Sequence, residues 1–207
     1  MEEEIYLKDF ENFVKIDNLY YGGDQTWLFS ENHIPKFWAD RSCGLIAVTN
    51  TLCYLFRDQY PSLTKQSYTA FAMDLYPFIK PKVYGIPTVG IIVKALNKYV
   101  VSINRKLTPV PLIKPTNITT VITYIKNALQ QDYPIMMLTL NTKTRSLKYH
   151  WVTITGYYKT SLGENFIVTS NWGNQVVYNL DQWVGERSFY KGLLWFKLKG
   201  QKNDYLR

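Results

Sequence analysis

Apolar residues in the first half of the chain recur at three- and four-residue steps; in the second half they alternate or run together. Leu45, Val48, Leu52, Leu55 and Phe56 keep the first rhythm. They predict a helix that begins at Cys43, capped by Ser42 and ended by Pro61. The same spacing predicts a helix over 64–76, with Tyr68, Phe71, Ala72, Leu75 and Tyr76 on one side and Pro77 closing it. A third helix starts near Pro87 and turns Ile91, Ile92, Ala95, Leu96 and Tyr99 inward. A fourth begins at Asn117, with Ile118, Val121, Ile122, Ile125, Ala128 and Leu129 along its face. Asn117-Ile118-Thr119 matches a glycosylation sequon, and here it reads as that helix's cap.

After residue 131 the period changes. Ile135–Leu140 reads as an apolar strand, and His150–Tyr158 alternates with many β-branched and aromatic residues. Gly163-Glu164-Asn165 turns the chain into a strand over Phe166–Ser170. Gly173-Asn174 turns it again into Gln175–Tyr178. A short helical or turn segment at Asp181-Gln182-Trp183 precedes a last strand over Phe189–Leu198. Helices followed by an antiparallel sheet imply an α+β fold in one domain over 1–207: a mainly helical lobe over 1–131 and a sheet lobe over 132–207. A cleft is expected at the seam between the lobes.

Composition narrows the function classes. At 207 residues, 46% hydrophobic and 19% charged, the chain has ample material for a core and is not of disordered composition. No apolar run approaches the ~20 residues of a membrane helix. Met1-Glu2-Glu3-Glu4-Ile5 is acidic where a secretory signal is basic, so the chain reads as cytoplasmic. The net charge of +8 favours acidic partners or solubility. Its cations are dispersed, with only Arg105-Lys106 adjacent, and no nucleic-acid recognition motif is present. Two cysteines and two histidines lack the spacing of a zinc site, and there is no phosphate-binding glycine loop.

The remaining chemistry centres on Cys43. A thiol at a helix N-terminus meets free backbone N–H groups and the positive end of the helix dipole, which lower its pKa. Gly44 removes side-chain bulk beside the sulfur and lets a substrate backbone approach. A free cysteine is more commonly buried and inert, which suits Cys53, further along the same helix. A thiol nucleophile needs a base, and His150 opens a strand between aromatic Tyr149 and Trp151. His33, in the polar run Glu31-Asn32-His33, reads as a surface loop residue. Asn171 ends the strand expected to pair with that of His150, so its side-chain oxygen can orient the ring. Trp172 can shield that bond from water.

Ser42-Cys43-Gly44 opening an amphipathic helix, Tyr149-His150-Trp151 on a strand and Ser170-Asn171-Trp172-Gly173 after the next strand resemble the papain-like cysteine peptidase superfamily in residue type and order. The text around His150, His150-Trp151-Val152-Thr153-Ile154-Thr155-Gly156-Tyr157, is closer to a bacterial branch, the bacteriocin-leader-processing peptidases. The resemblance spans roughly 20–198 and is specific near 43–56 and 148–173. It departs from papain in lacking C-G-[SA]-C-[WY] and in a shorter separation between Cys43 and His150 than papain and the cathepsins have. It departs from the bacterial branch in having Asn171 where many members carry Asp.

The resemblance implies a Cys43–His150–Asn171 triad, a peptide or protein substrate, and a chemistry that requires no metal or cofactor. It also implies a glutamine that donates into the oxyanion hole beside the Cys43 N–H. Gln25 is the candidate, although it lies further upstream of Cys43 than the family usually places it. Asn32 and Asp40 are poorer substitutes. Gly44, Trp151 and Trp172 are the expected substrate contacts, and Trp27 is a further aromatic candidate for the cleft. Two alternatives stay open: an acyltransferase or transglutaminase-like enzyme with the same triad, and a peptide-binding module without catalysis.

Overall fold

A computed structural model describes residues 3–198. Its helices are α1 (Trp27–Ser30), α2 (Lys36–Ala39), α3 (Cys43–Leu55), α4 (Lys65–Leu75), α5 (Val89–Ser102), α6 (Ile118–Gln130) and α7 (Leu180–Gly185). Its strands are β1 (Glu3–Tyr6), β2 (Lys15–Ile16), β3 (Tyr20–Tyr21), β4 (Leu107–Ile113), β5 (Ile135–Thr139), β6 (His150–Lys159), β7 (Asn165–Asn171), β8 (Asn174–Asn179) and β9 (Lys191–Leu198).

Helix α3 is buried at every position and packs on α4, β5 and β6. Two of its hydroxyls are satisfied within the helix: Thr49 donates to the Leu45 carbonyl and Thr51 to that of Ala47. Ser42 precedes α3 but does not cap it with its side chain. Its hydroxyl donates back to the Trp38 carbonyl at 2.8 Å. The other long helices start on side chains or extended residues. Thr64 and Ser67 form a capping box on α4, and Asn117 accepts from the Thr120 N–H on α6. Helix α5 begins at Val89 rather than Pro87 and leaves Ile91 exposed, while Ile92, Ala95, Leu96 and Tyr99 are buried as expected.

The large sheet runs β4-β9-β5-β6-β7-β8, with β1 also paired to β6. Strands β4 and β1 come from the half of the chain that reads as helical. β4 carries Pro109 and Pro111, which a central strand would not tolerate. It lies at the edge, antiparallel to β9, and the Lys114 N–H just beyond it donates to the Lys191 carbonyl. That parity sends the two proline nitrogens toward the open side, where no ladder bond is lost. β1 pairs Glu3–Tyr6 with Lys159–Gly156, and Glu3 forms an ion pair with Lys126 of α6. The β6–β7 register shifts between Ile154 and Gly156. The bulge residue Thr155 accepts the Leu7 N–H and the Tyr21 hydroxyl, which ties the N-terminal segment to the sheet.

Lys191 is buried at the start of β9, and among the described residues no carboxylate lies close enough to form an ion pair with it. Its ammonium donates instead to the carbonyls of Trp183, Val184 and Glu186 at the C-terminal end of α7. Burial holds its pKa below the usual lysine value, with Glu186 opposing. Lys191→Met is expected to leave those carbonyls unpaired, at a cost of about 3 kcal/mol and roughly 10 °C in Tm by thermal denaturation.

Candidate active site

The chain enters α3 through a tight turn, in which the Ser42 N–H donates to Ala39 and the Ile46 N–H to Ser42. This puts Cys43 at the first helical residue, 8% exposed. One cavity is lined by Cys43, His150, Asn171, Gln25 and Trp172 together. Residues drawn from four separate stretches of sequence thus converge at the N-terminal end of α3.

His150 and Asn171 are placed by sheet register. Thr153 stands opposite Ser170, so Asn171 falls opposite Val152, two residues along the same face from His150. The Nε2–H of His150 donates to Asn171 Oδ1 at 2.8 Å. The Asn171 amide nitrogen donates onward to the Tyr178 hydroxyl at 2.9 Å. That sense of the carboxamide puts the ring proton on Nε2 and leaves Nδ1 with the lone pair.

The backbone is strained on both sides of this pair. Tyr149, just before His150, has φ 54°, and Trp172, just after Asn171, has φ 48°. Trp172 and Gly173, the latter at φ 71°, form the two-residue link of the β7–β8 hairpin, where both positions need positive φ. A tryptophan in this region costs about 1–3 kcal/mol. In return its ring packs on the His150 imidazole, with centroids 4.5 Å apart and the planes tilted by 32°.

Gln25 reaches the same cavity although it is well separated from Cys43 in sequence. The short helices α1 and α2 take up the intervening length. Its Nε2 donates to the Asp40 carbonyl at 2.8 Å, and its Oε1 is buried with no partner among the described residues. The segment before it is fixed by close approach. A Cβ on Gly22 (φ 75°) would fall 2.1 Å from Ser170 Oγ, and one on Gly23 2.2 Å from the Tyr68 ring. Asn50 of α3 joins these parts. Its Oδ1 accepts from the Gly23 N–H and the Tyr68 hydroxyl, and its Nδ2 donates to Ser170 Oγ. Asn50, Tyr68 and Ser170 were missing from the sequence-derived site. Their one local signal is a polar Asn within a run of apolar helical positions.

Burial outweighs the helix terminus at Cys43. N–H groups of Trp151, Gly44 and Cys43 itself act to lower the thiol pKa, but desolvation pushes it up to about 11. This reverses the expectation of a lowered value. The imidazole also favours its neutral form: burial holds His150 below its ordinary 6.5, against the opposing effects of Asn171 and Asp24. Cys43 and His150 share the cavity without a hydrogen bond between them, and burial acts on both in one sense, toward the neutral thiol and the neutral imidazole.

Cys43 also lines a second groove, of about 350 Å³, walled by Val83, Tyr84, Ile86, Leu138, Tyr149 and Trp151. Cys43 thus lies between the two spaces. The segment carrying Val83 is held by Arg41, which donates to its carbonyl at 2.5 Å and to that of Phe37 at 2.8 Å. Trp151 lines both spaces and donates through its indole nitrogen to the Ile86 carbonyl at 2.7 Å. Gly44 opens no path for a substrate. A Cβ there would meet Ile86 at 3.0 Å and Trp151 at 3.2 Å, so the glycine lets these two pack against the helix. Trp27 lies away from the cleft, buried against Tyr20 and Tyr68. Asp40 contributes its backbone carbonyl to Gln25, and its carboxylate pairs with Lys36. Asn32 and His33 are exposed, and His33 bonds to Thr69. Cys53 is deeply buried, and its thiol pKa is raised by desolvation alone.

The helices, the large antiparallel sheet and the cleft at the head of α3 define a papain-like α+β fold. Among solved structures, UfSP from C. elegans matches it with a TM-score of 0.58 at 9% identity, over 96% of this chain and 35% of that one. The chain spans about a third of that structure's length, and at this identity the likeness is one of fold. No family model and no curated protein matches the chain.

Proposed function

We propose that the protein is a papain-like cysteine peptidase or amidase that works through a Cys43–His150–Asn171 triad. The observation that carries this reading is the 2.8 Å bond from His150 to Asn171 in a cavity that Cys43 also lines. His150 Nδ1 takes the thiol proton as the sulfur attacks the carbonyl carbon. The Cys43 N–H and Gln25 Nε2 stabilise the oxyanion. Collapse breaks the C–N bond, and the leaving amine takes the proton from His150. Water, deprotonated by His150, then attacks the thioester, and the thiol regains its proton. The local text around His150 resembles the bacteriocin-leader-processing branch and supports a peptide or protein substrate. Both cysteines are free thiols, so Cys43 is available as a nucleophile.

No helix among the described residues is long and apolar enough to cross a membrane. The direct test is incubation with a complex peptide mixture, followed by mass spectrometry of new termini. Termini that appear with the wild type and not with Cys43→Ala support the reading. Equal patterns from both proteins overturn it. An added amine that captures the acyl group without loss of turnover would make the enzyme a transferase.

The pH dependence follows from His150. The base must be neutral, and its pKa lies below 6.5. The acid limb of kcat/KM is therefore expected below pH 6.5, with activity retained in mild acid. Linkage has the same sign. The stability gained by keeping this imidazole neutral is complete above 6.5 and is lost as pH falls through the lowered folded value. A pH–rate profile checks the first statement and denaturant midpoints across pH check the second.

A further inference from the structure

We propose that Tyr178 is a positioning residue that sets the His150 tautomer by holding the Asn171 carboxamide in one sense. The proposal rests on the reading of His150 as the base, and adds a group outside the triad. Tyr178, on β8, is 8% exposed, and its hydroxyl sits between two partners. It accepts from Asn171 Nδ2 at 2.9 Å and donates to Ser146 Oγ at 3.2 Å. Because Ser146 takes the hydroxyl proton, the phenol oxygen presents a lone pair to Asn171. The amide nitrogen turns to that lone pair, and Oδ1 is left facing His150 Nε2.

An asparagine can exchange its two ends by a half-turn about the bond to its carboxamide, and a histidine can move its proton between its nitrogens. Reversed, the carboxamide would present N–H to Nε2. The ring proton would then sit on Nδ1, the nitrogen that must receive the thiol proton. The reversed form also fails once His150 is an imidazolium, since two N–H groups would face each other. Nothing in the triad itself prevents this rotation; the Tyr178 hydroxyl opposes it as long as its proton is directed to Ser146.

Ser146 is held in turn. It belongs to the short turn over 145–147, and the preceding loop is bound by the Glu186 carboxylate, which accepts from Thr142 Oγ1 and the Lys143 N–H. Those hydrogen bonds keep the Glu186 pKa below the usual carboxylate value, despite the opposing effect of burial. Glu186 thus anchors the loop that leads into Ser146, and from Ser146 the hydrogen bonds run through Tyr178 and Asn171 to the imidazole.

The test reads the ring directly and needs no substrate. In protein labelled with ¹⁵N at histidine, long-range ¹H–¹⁵N correlations distinguish the two neutral tautomers. The chain has two histidines, and His33 serves as the internal reference. At pH 8 the wild type is expected to show the Nε2–H signature at His150. Tyr178→Phe is expected to shift that equilibrium about tenfold toward Nδ1–H, because a buried amide donor loses its acceptor. Ser146→Ala should shift it in the same direction by less, and covers the case in which Tyr178→Phe folds poorly. Adding Asn171→Asp to Tyr178→Phe should restore Nε2–H, since both carboxylate oxygens accept; a merely structural role for Tyr178 gives no such rescue. An unchanged signature in folded Tyr178→Phe overturns the proposal whether or not the protein proves to be a hydrolase. A shifted signature in a protein without hydrolase activity overturns the hydrolase reading alone.

Discussion

Cys43→Ala is expected to lose Cys43-dependent hydrolysis completely, a fall on the order of 10⁶ in kcat where a substrate is turned over. The fold should survive, because the exchange removes a single sulfur atom from a site 8% exposed and adds no bulk. Cys43→Ser should be nearly as inactive, since a hydroxyl is harder to deprotonate than the thiol it replaces. Cys53→Ala should remain active, because Cys53 lies near the opposite end of α3, at the far side from the cleft. The alkaline stability of Cys43→Ala tests the electrostatics separately. The folded thiol pKa of about 11 lies above the ordinary 9.0, so the neutral form is favoured in the native state. The stability it contributes is complete below pH 9 and is lost as pH rises through 11. Over that window the wild type should lose about 3 kcal/mol relative to Cys43→Ala, from two units at about 1.4 kcal/mol each. Mass-mapped alkylation gives a third reading: labelling of Cys43 should increase toward that pKa and precede that of Cys53. A Cys43 rate that is flat from acid to neutral pH would show a resting ion pair and refute the neutral one.

The sequence reveals what is periodic or local, and hides what depends on distant packing. Helices α4 to α6 show in the 3.6-residue rhythm because each buries a defined face, whereas α3, β6 and β7 are buried almost throughout and show through their apolar and β-branched content between turn signals. The Cys43, His150 and Asn171 positions follow from one helix start and one hairpin register, both local features. β4 escaped because two prolines argue against a strand everywhere except at an edge, and only the assembled sheet shows where the edge is. β1 escaped because Glu3-Glu4-Ile5-Tyr6 is short and acidic. The thiol pKa depends on distant packing in the same way. The helix terminus is visible in sequence, but desolvation comes from the elements closing over Cys43, and it is the larger effect. Gly44 was assigned to substrate access because its neighbours in space, Ile86 and Trp151, are remote in sequence.

Gln25→Ala is expected to lower kcat by about 10²–10³ with little change in KM, the loss typical of one oxyanion donor. The argument is geometric. One N–H of the Gln25 amide is committed to the Asp40 carbonyl, which leaves its second N–H uncommitted in a residue that lines the cavity shared with Cys43. The ground-state carbonyl gains little from that donor and the tetrahedral oxyanion gains much, so the effect falls on kcat. Gln25→Glu should not rescue, because a carboxylate offers no N–H and repels the developing charge. Gln25→Asn is shorter by one methylene and should recover little. The anchoring of the segment separates this role from a structural one. Gly22 and Gly23 are held against Ser170, Tyr68 and Asn50 by contacts that do not involve the Gln25 side chain. The Tm of Gln25→Ala should therefore stay within a few degrees of wild type while turnover falls. A loss of only a few-fold at unchanged Tm would remove Gln25 from the oxyanion hole and leave the Cys43 N–H as the donor.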